Sequence, residues 1–178
     1  MRERSLTYRA FAEGFARHDG AASLLDESII PAPPDDNGRA FTEAFDTSIS
    51  AEACSLHESD HTSHEQTSLF EELVRWHKHF GLRRTDTALL PDHVSAELEF
   101  MHFLSFQEEA NTDDIKAALA LKRAQRDFLA RHLLVLGEAI AEKCPPTAKR
   151  YKALTLALRD FLSADLEYLN AATADGST

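Results

Sequence analysis

The stretch that decides the fold runs from Leu90 to Leu104 and reads LPDHVSAELEFMHFL. Pro91 fixes the backbone at its start, and the Asp92 carboxylate can accept hydrogen bonds from the free amides of a following helix. Apolar residues then recur almost all round that helix. They are Val94, Leu98, Phe100, Met101, Phe103, Leu104 and Phe106. Such a pattern predicts burial against several neighbours, so this stretch is the expected centre of a helical bundle.

Two further helices are predicted downstream. The run Thr112–Asp114 supplies a polar, acidic start for a long helix. The apolar stripe of that helix consists of Leu121, Phe128, Leu129, His132, Leu133, Leu136 and Ile140. Pro145 and Pro146 end it, because proline cannot continue the hydrogen-bond ladder. The final helix repeats an apolar face made of Tyr151, Leu154, Leu158, Phe161, Leu162 and Leu169. We expect the small, polar residues 171–178 to fray.

The amino-terminal part predicts one helix followed by a loop. Leu6, Phe11 and Phe15 fall at helical spacings and indicate an amphipathic first helix. Residues 26–40 are rich in proline, aspartate, asparagine and glycine, which predicts a loop. A short helical piece carrying Phe41 and Phe45 is expected next.

A second polar stretch, residues 48–66, is also predicted to be a loop. Ser68 and Glu71 then have the form of a capping box at the start of a helix. Its apolar residues recur at intervals of three and four and are Leu69, Phe70, Leu73, Trp76 and Phe80. Gly81 is expected to end it.

These patterns together predict an all-α protein. A chain of 178 residues with 43% hydrophobic and 28% charged residues has the composition of one ordinary globular domain. We find no internal repeat and no linker that would separate two cores. The predicted architecture is a single-domain helical bundle of about five to seven helices, spanning residues 1–178.

The charge balance bears on the choice of partners. Thirty acidic residues against nineteen Lys and Arg give a formal net charge of −11. Such a charge disfavours nucleic acid and anionic membrane surfaces as partners, whereas a basic polypeptide would be attracted. The sequence leaves open whether the chain is a monomer or a homodimer.

The expected compartment is the cytoplasm. Cys54 and Cys144 are far apart and too few for a disulfide framework, which fits a reducing environment. The basic start of the chain runs into Tyr8 and Arg9 rather than a continuous apolar stretch, so we do not expect a signal peptide. No segment approaches the roughly 18 apolar residues that a membrane span needs.

A zinc site is the main alternative that the residues raise. Cys54, His57, His61 and His64 lie at intervals at which cysteine and histidine can converge on one metal ion. Structural zinc sites usually draw ligands from two clusters, however, and only one compact cluster is obvious here. The interspersed acidic residues equally suit a solvated turn.

Catalytic signatures are lacking in the sequence. We find no G-x-S-x-G turn to expose a nucleophilic serine, and the six glycines form neither a P-loop nor a dinucleotide fingerprint. We therefore predict a protein that is not an enzyme, and no cofactor is expected.

The segment from Pro91 to His93, followed by a Glu-Leu-Glu-Phe-Met helix, resembles the Pro-Asp-His signature of the TorD/DmsD/NarJ family of redox-enzyme maturation chaperones. The likeness is to the branch serving DMSO-reductase-family type II molybdoenzymes. Cys54–Ser59 resembles a loop of that branch, and the helix ending Phe80-Gly81-Leu82 is similar to the one before the signature. Two departures, Ser55-Leu56 in place of paired prolines and Leu89-Leu90 in place of an acidic residue, leave the client unidentified.

The resemblance implies a TorD-like, all-helical cytoplasmic chaperone. It would bind the apo catalytic subunit of a molybdopterin oxidoreductase, often through its twin-arginine signal peptide, and assist cofactor insertion and assembly before export. An apolar groove would hold the peptide, and carboxylates on its rim would pair with the arginines. By matching positions, the expected client-binding residues are His57, Glu58, Asp92, His93 and Glu97. Asp92 is expected to be a cap as well, whereas His93→Ala is expected to weaken client binding and leave the melting temperature nearly unchanged.

Overall fold

The structure is a computed structural model that describes residues 2–16, 38–83 and 88–174. Seven α-helices account for most of these residues. They are α1 (Arg2–Phe15), α2 (Arg39–Phe45), α3 (Gln66–His79), α4 (Val94–Ala110), α5 (Ile115–Phe128), α6 (Leu134–Lys143) and α7 (Lys149–Ala174). A 3₁₀ turn (Glu58–Asp60) precedes α3, and a π turn (Leu129–Leu133) joins α5 to α6. Within the described ranges there is no β-strand, and the prediction of an all-α, single-domain bundle is confirmed.

Helix α4 lies at the centre of the bundle, as its apolar pattern predicts. It packs most extensively on α1 and also against α5 and the π turn. Its buried residues lie on several faces: Val94, Ser95, Glu97, Leu98, Phe100, Met101, Leu104, Ser105 and Glu108. Four of them have polar side chains: Ser95, Glu97, Ser105 and Glu108. Buried polar side chains are uncommon at the centre of a helical bundle.

The predicted long helix after Asp114 is interrupted by a π turn. Asp114 caps α5, because its carboxylate accepts hydrogen bonds from the amides of Lys116 and Ala117, both at 3.0 Å. A π turn then joins α5 to α6, and Leu129, His132 and Leu133 within it are buried. The predicted apolar stripe packs into the core, and the predicted long helix forms with a π turn inside it.

The start of α3 also differs from the prediction. The Glu65 carboxylate caps it by accepting from the amides of Thr67 and Ser68, at 3.0 and 2.9 Å. The capping box predicted at Ser68 and Glu71 is wrong, because the capping residue is Glu65, three residues earlier, and the helix begins at Gln66. Gly81 follows the helix end with a φ of 76°, a left-handed conformation that glycine adopts at little cost.

Two predicted loop boundaries need correction. Helix α2 begins at Arg39, inside the predicted 26–40 loop, and residues 26–37 lie outside the described residues. Helix α7 continues to Ala174, beyond the expected fraying at residue 171, because Thr173 is still buried against the bundle. None of the described helices combines the length and apolarity required to cross a bilayer.

Candidate functional site

The two segments that the sequence singled out lie side by side. The amide of Glu58 donates to the carbonyl of Asp92, and the amide of Val94 donates to the carbonyl of Leu56, each at 2.9 Å. These bonds form an isolated antiparallel bridge between His57 and His93. The loop before α3 and the entry to α4 are therefore fixed against each other by backbone contacts.

Asp92 lies beneath this bridge and has no solvent exposure. One carboxylate oxygen, Oδ1, lies 3.0 Å from His57 Nδ1, and the other accepts from the Ser59 hydroxyl at 2.7 Å and from the Ser59 amide at 3.3 Å. The prediction that Asp92 caps α4 is wrong, because both oxygens face the neighbouring loop. Burial alone would raise the pKa of Asp92, but the hydrogen bonds from His57 and Ser59 hold it below the ordinary value.

His57 is the partner that connects Asp92 to the surface. Its side chain is 33% exposed, whereas the Asp92 side chain is fully buried. The hydrogen bond to Asp92 raises the pKa of His57 against the opposing effect of burial, and the charges of Asp92 and Asp60 add to the rise. His57 therefore holds its second proton to a higher pH than an ordinary histidine.

His93 is the residue that caps α4. Its ring nitrogen Nδ1 accepts a hydrogen bond from the Ser95 amide at 3.1 Å, which requires an unprotonated Nδ1. Burial, followed by the nearby His57, lowers the pKa of His93 to about 4. The two rings meet edge to face with their centroids 5.1 Å apart. Within this histidine pair, His57 thus favours the charged form and His93 favours the neutral form.

The predicted site residues Glu58 and Glu97 are buried, with 1% and 0% exposure. Both Glu58 oxygens lie 3.2 Å from Nδ1 of His132 in the π turn. The Glu97 carboxyl lies beside the Glu58 carboxylate and interacts with it. Burial, and then the carboxylates of Glu58 and Asp92, raise the pKa of Glu97 well above its ordinary value. These two side chains cannot contact a client directly in this conformation.

A groove of about 1050 Å³ opens beside the histidine pair. Both His57 and His93 line it. Its apolar lining includes Phe15, Phe41, Phe45, Leu56, Phe100 and Phe103. Three carboxylates also line it: Asp46, Asp60 and Glu99. The sequence predicted Glu58, Asp92 and Glu97 as the client-binding carboxylates. It did not identify Asp46, Asp60 and Glu99, because these three come from separate segments that only the fold brings together.

The four candidate zinc ligands do not converge. The Cys54 thiol is buried against the backbone carbonyls of Ser55 and Ile140, and burial raises its pKa to about 11. His61 lies with Nε2 2.8 Å from the Ser55 carbonyl and Nδ1 2.9 Å from Lys143 Nζ, and His64 is exposed. Across the described ranges, no three His, Cys, Asp or Glu side chains are arranged to hold a metal ion. The zinc alternative is therefore not favoured.

Comparison with known proteins gives consistent matches. The profile of the family described as nitrate reductase delta subunit matches residues 13–142. The chain is 34% identical over 123 residues to the perchlorate reductase assembly chaperone protein of Dechloromonas aromatica, covering 65% of this chain and 55% of that protein. It is 31% identical over 163 residues to the selenate reductase assembly chaperone protein of Thauera selenatis, covering 88% and 84%. It is 32% identical over 134 residues to the chlorate reductase assembly chaperone protein of Ideonella dechloratans, covering 71% and 68%.

The described residues form an all-helical bundle. Its groove lies beside the His57–His93 bridge, which joins the loop before α3 to the entry of α4. The chain belongs to the nitrate reductase delta subunit family, the NarJ/TorD family of redox-enzyme maturation chaperones. The resemblance based on Pro91–His93 is thereby confirmed at the level of the family.

Proposed function

We propose that this chain is an assembly chaperone for the catalytic subunit of a molybdenum-containing reductase. It would bind that subunit before the cofactor is inserted. The observation that supports this most directly is the groove, because the family's Pro-Asp-His segment forms part of its wall through His93. The relatives named above are assembly chaperones of three reductases, which supports the same class of client.

The groove suits a segment that is both apolar and basic. Its aromatic lining would take the apolar side chains, and Asp46, Asp60 and Glu99 would pair with basic ones. A twin-arginine signal peptide has this combination, so we propose it as the bound segment, with the chaperone acting in the cytoplasm before export. The net charge of −11 would speed the encounter with such a client.

Affinity capture tests this function. The chain, carrying a tag, is isolated from its own host grown under conditions that induce the reductase, and the retained proteins are identified by mass spectrometry. We expect the catalytic subunit of a molybdenum enzyme. In a strain that lacks the chaperone gene, we expect that subunit to accumulate with little molybdenum, measured by elemental analysis. Capture of no such subunit would contradict the proposal.

Substitutions of groove-lining residues test whether the catalytic subunit binds in the groove. Leu89→Ser removes an apolar side chain that lines the groove and is 45% exposed, and Glu99→Gln removes a lining carboxylate. Both should reduce capture of the catalytic subunit while leaving the fold intact. The matched controls are Ile115→Ser, at a side chain 80% exposed and outside the groove, and Glu142→Gln on the exposed face of α6. Equal losses in the controls would place the binding surface elsewhere.

A further inference from the structure

In each ring of the histidine pair, the contact that Nδ1 makes determines whether Nε2 carries a proton. Nδ1 of His57 lies against Asp92, and Nδ1 of His93 accepts from the Ser95 amide. Among the described residues, neither Nε2 atom has a hydrogen-bond partner. Both rings line the groove, so these nitrogens are available to whatever occupies it.

His93 is a fixed donor. Because its Nδ1 must remain unprotonated to accept from Ser95, the single proton of the neutral ring is on Nε2. The Nε2–H group can donate a hydrogen bond but cannot accept one. Its low pKa, about 4, keeps this arrangement through the physiological range.

His57 has the opposite arrangement. The Asp92 carboxylate can only accept, so Nδ1 of His57 carries a proton in both charge states. When the ring is charged, Nε2 also carries a proton and donates. When the ring is neutral, Nε2 has only a lone pair and accepts. The pair therefore offers two donors at lower pH, and one donor and one acceptor at higher pH.

We propose that His57 and His93 together bind main-chain carbonyl oxygens of the polypeptide in the groove, with Asp92 acting as the positioning residue for His57. This inference rests on the proposed function and specifies which part of the client the pair recognises. A main-chain carbonyl is present at every residue, so this contact would hold a segment without depending on its side chains.

Charge decides between a carbonyl and a carboxylate as the acceptor. The lining carboxylates Asp46, Asp60 and Glu99 would repel an anionic group, and the chain as a whole carries a charge of −11. Arg83 is the only arginine or lysine in the groove lining, within the part of the chain that the structure describes. A neutral acceptor is therefore favoured over a charged one.

Several groups near the pair shape its pH response. Asp92 lies beneath His57, Asp60 of the 3₁₀ turn adds to its positive charge, and His93 faces it. Glu99 of α4, whose pKa is raised by burial, His77 of α3, Asp46 after α2, and Arg83 also line the groove. Because the Ser95 amide holds Nδ1 of His93 unprotonated, the protonation of His57 is what changes the hydrogen bonding of the pair.

Two small amides test the carbonyl contact without any client. In protein with ¹⁵N-labelled histidine, NMR should show the Nε2–H tautomer of His93 and the Nδ1–H tautomer of neutral His57. N-methylacetamide has a carbonyl and an N–H, whereas N,N-dimethylacetamide has only the carbonyl. Below the pH at which His57 titrates, which the same spectra report, both amides should shift the Nε2 signals of the pair. Above that pH only N-methylacetamide should still shift His57.

The outcomes separate this inference from the proposed function. His93 in the Nδ1–H form, no response to either amide, or a stronger response to acetate than to the amides would overturn the carbonyl contact. An amide response without capture of a molybdenum-enzyme subunit would leave the contact standing and remove the chaperone role. His64, exposed and outside the groove, is the internal control and should not respond.

Variants extend the test to the client. His93→Asn keeps a side-chain oxygen that can cap α4 but removes the ring donor, and should weaken client binding about fivefold, the equivalent of one neutral hydrogen bond. Asp92→Asn should shift the pH dependence of client affinity to lower pH, because the pKa of His57 loses its main support. His64→Asn should change neither. Unchanged affinity in His93→Asn, or an unchanged pH profile in Asp92→Asn, would contradict the proposal.

Discussion

His93 has two roles, and a single substitution can affect both of them. Its ring caps α4 through Ser95 and also lines the groove. Because His93 is the cap, the sequence-based expectation that His93→Ala leaves the melting temperature nearly unchanged needs correction. We expect His93→Ala to lower the free energy of unfolding by about 1 kcal/mol, the usual effect of losing a cap, and so to lower the melting temperature. His93→Asn should recover most of that loss. Urea denaturation of both variants measures the difference, and equal stability of His93→Ala and the wild type would show that the cap contributes nothing.

The His57–Asp92 pair should make stability depend on pH in a defined direction. The folded-state pKa of His57 is raised, so its contribution is fully present below about pH 6.5, the unfolded value, and is lost as pH rises through the folded value. The pKa of Asp92 is lowered, so its contribution is lost only as pH falls below about 4.

The comparison variant for this effect is His57→Asn. Between pH 5.5 and pH 8.5, the wild type should lose stability relative to His57→Asn, as measured by chemical denaturation at each pH. A stability difference that is the same at both pH values would contradict the pairing.

Glu97 is a buried carboxyl whose removal should stabilise the protein. It has no exposure and lies beside the Glu58 carboxylate, which contributes to the rise of its pKa. Glu97→Gln replaces it with a neutral group of the same shape that can donate to the Glu58 carboxylate. We expect a gain of about 1 kcal/mol at pH 7, growing as pH rises, since the raised pKa of Glu97 disfavours the folded state above pH 4 to 5. Thermal denaturation at two pH values provides the measurement, and a loss of stability would show that Glu97 has a compensating partner.

Part of the site follows from the sequence and part does not. The pattern around Pro91 identified Asp92 and His93, and the Cys54–Ser59 loop pointed to His57. Their pairing was not predictable, because Asp92 in isolation looks like a helix cap and its true partner is 35 positions away. The burial of Glu97 had a weak signal, since it lies in a helix that is apolar almost all round, where a charged residue has little access to water.

At the scale of elements, α6 and α7 pack closely at Gly137. A Cβ atom at this position would lie 2.6 Å from Cδ1 of Leu162, which is fully buried. Alanine gains about 1 kcal/mol of helix propensity over glycine, but overpacking in a core costs about 1–3 kcal/mol. We expect Gly137→Ala to lose about 1 kcal/mol overall.

A double-mutant cycle with Leu162→Ala tests the cause of that loss. If the two side chains collide, Gly137→Ala should become neutral or stabilising in the Leu162→Ala background, because the new methyl group occupies part of the vacated space. Strictly additive effects would mean that the loss has another origin.

Periodicity predicts helices better than it predicts their irregularities. The stripe from Leu121 to Ile140 is continuous in the sequence and gives no sign of the π turn at Leu129–Leu133. Within the turn, His132 contacts Glu58, which is 74 positions away, and periodicity along the helix cannot register such a contact. The start of α3 was missed for a related reason, since Glu65 is an uncommon cap and Ser68 is a common one.

At the scale of the whole molecule, a second polar cluster joins the first helix to the rest of the bundle. Arg4 Nε lies 2.6 Å from Asp165 Oδ1 on α7, and Arg4 Nη1 lies 3.0 Å from Glu108 Oε2 on α4. Arg4 also donates to Gln125 on α5. Tyr8 donates to the other Asp165 oxygen at 2.6 Å. One arginine thus connects α1 to three other helices through two buried carboxylates and one buried glutamine.

Removal of Arg4 should therefore destabilise the entire bundle rather than one helix end. Arg4→Ala leaves Asp165 and Glu108 buried with fewer partners, and loss of one member of a buried ion pair costs about 3–5 kcal/mol. We expect the lower end of that range, because Lys122 still neutralises Glu108 at 2.7 Å. The control is Arg9→Ala on the same helix, where an exposed pair with Glu13 should contribute less than about 0.5 kcal/mol. Urea denaturation compares the two, with hydrogen exchange on α7 as a second readout. If Arg4→Ala increases hydrogen exchange in α1 but leaves it unchanged in α7, the cluster stabilises only the first helix and not the whole bundle.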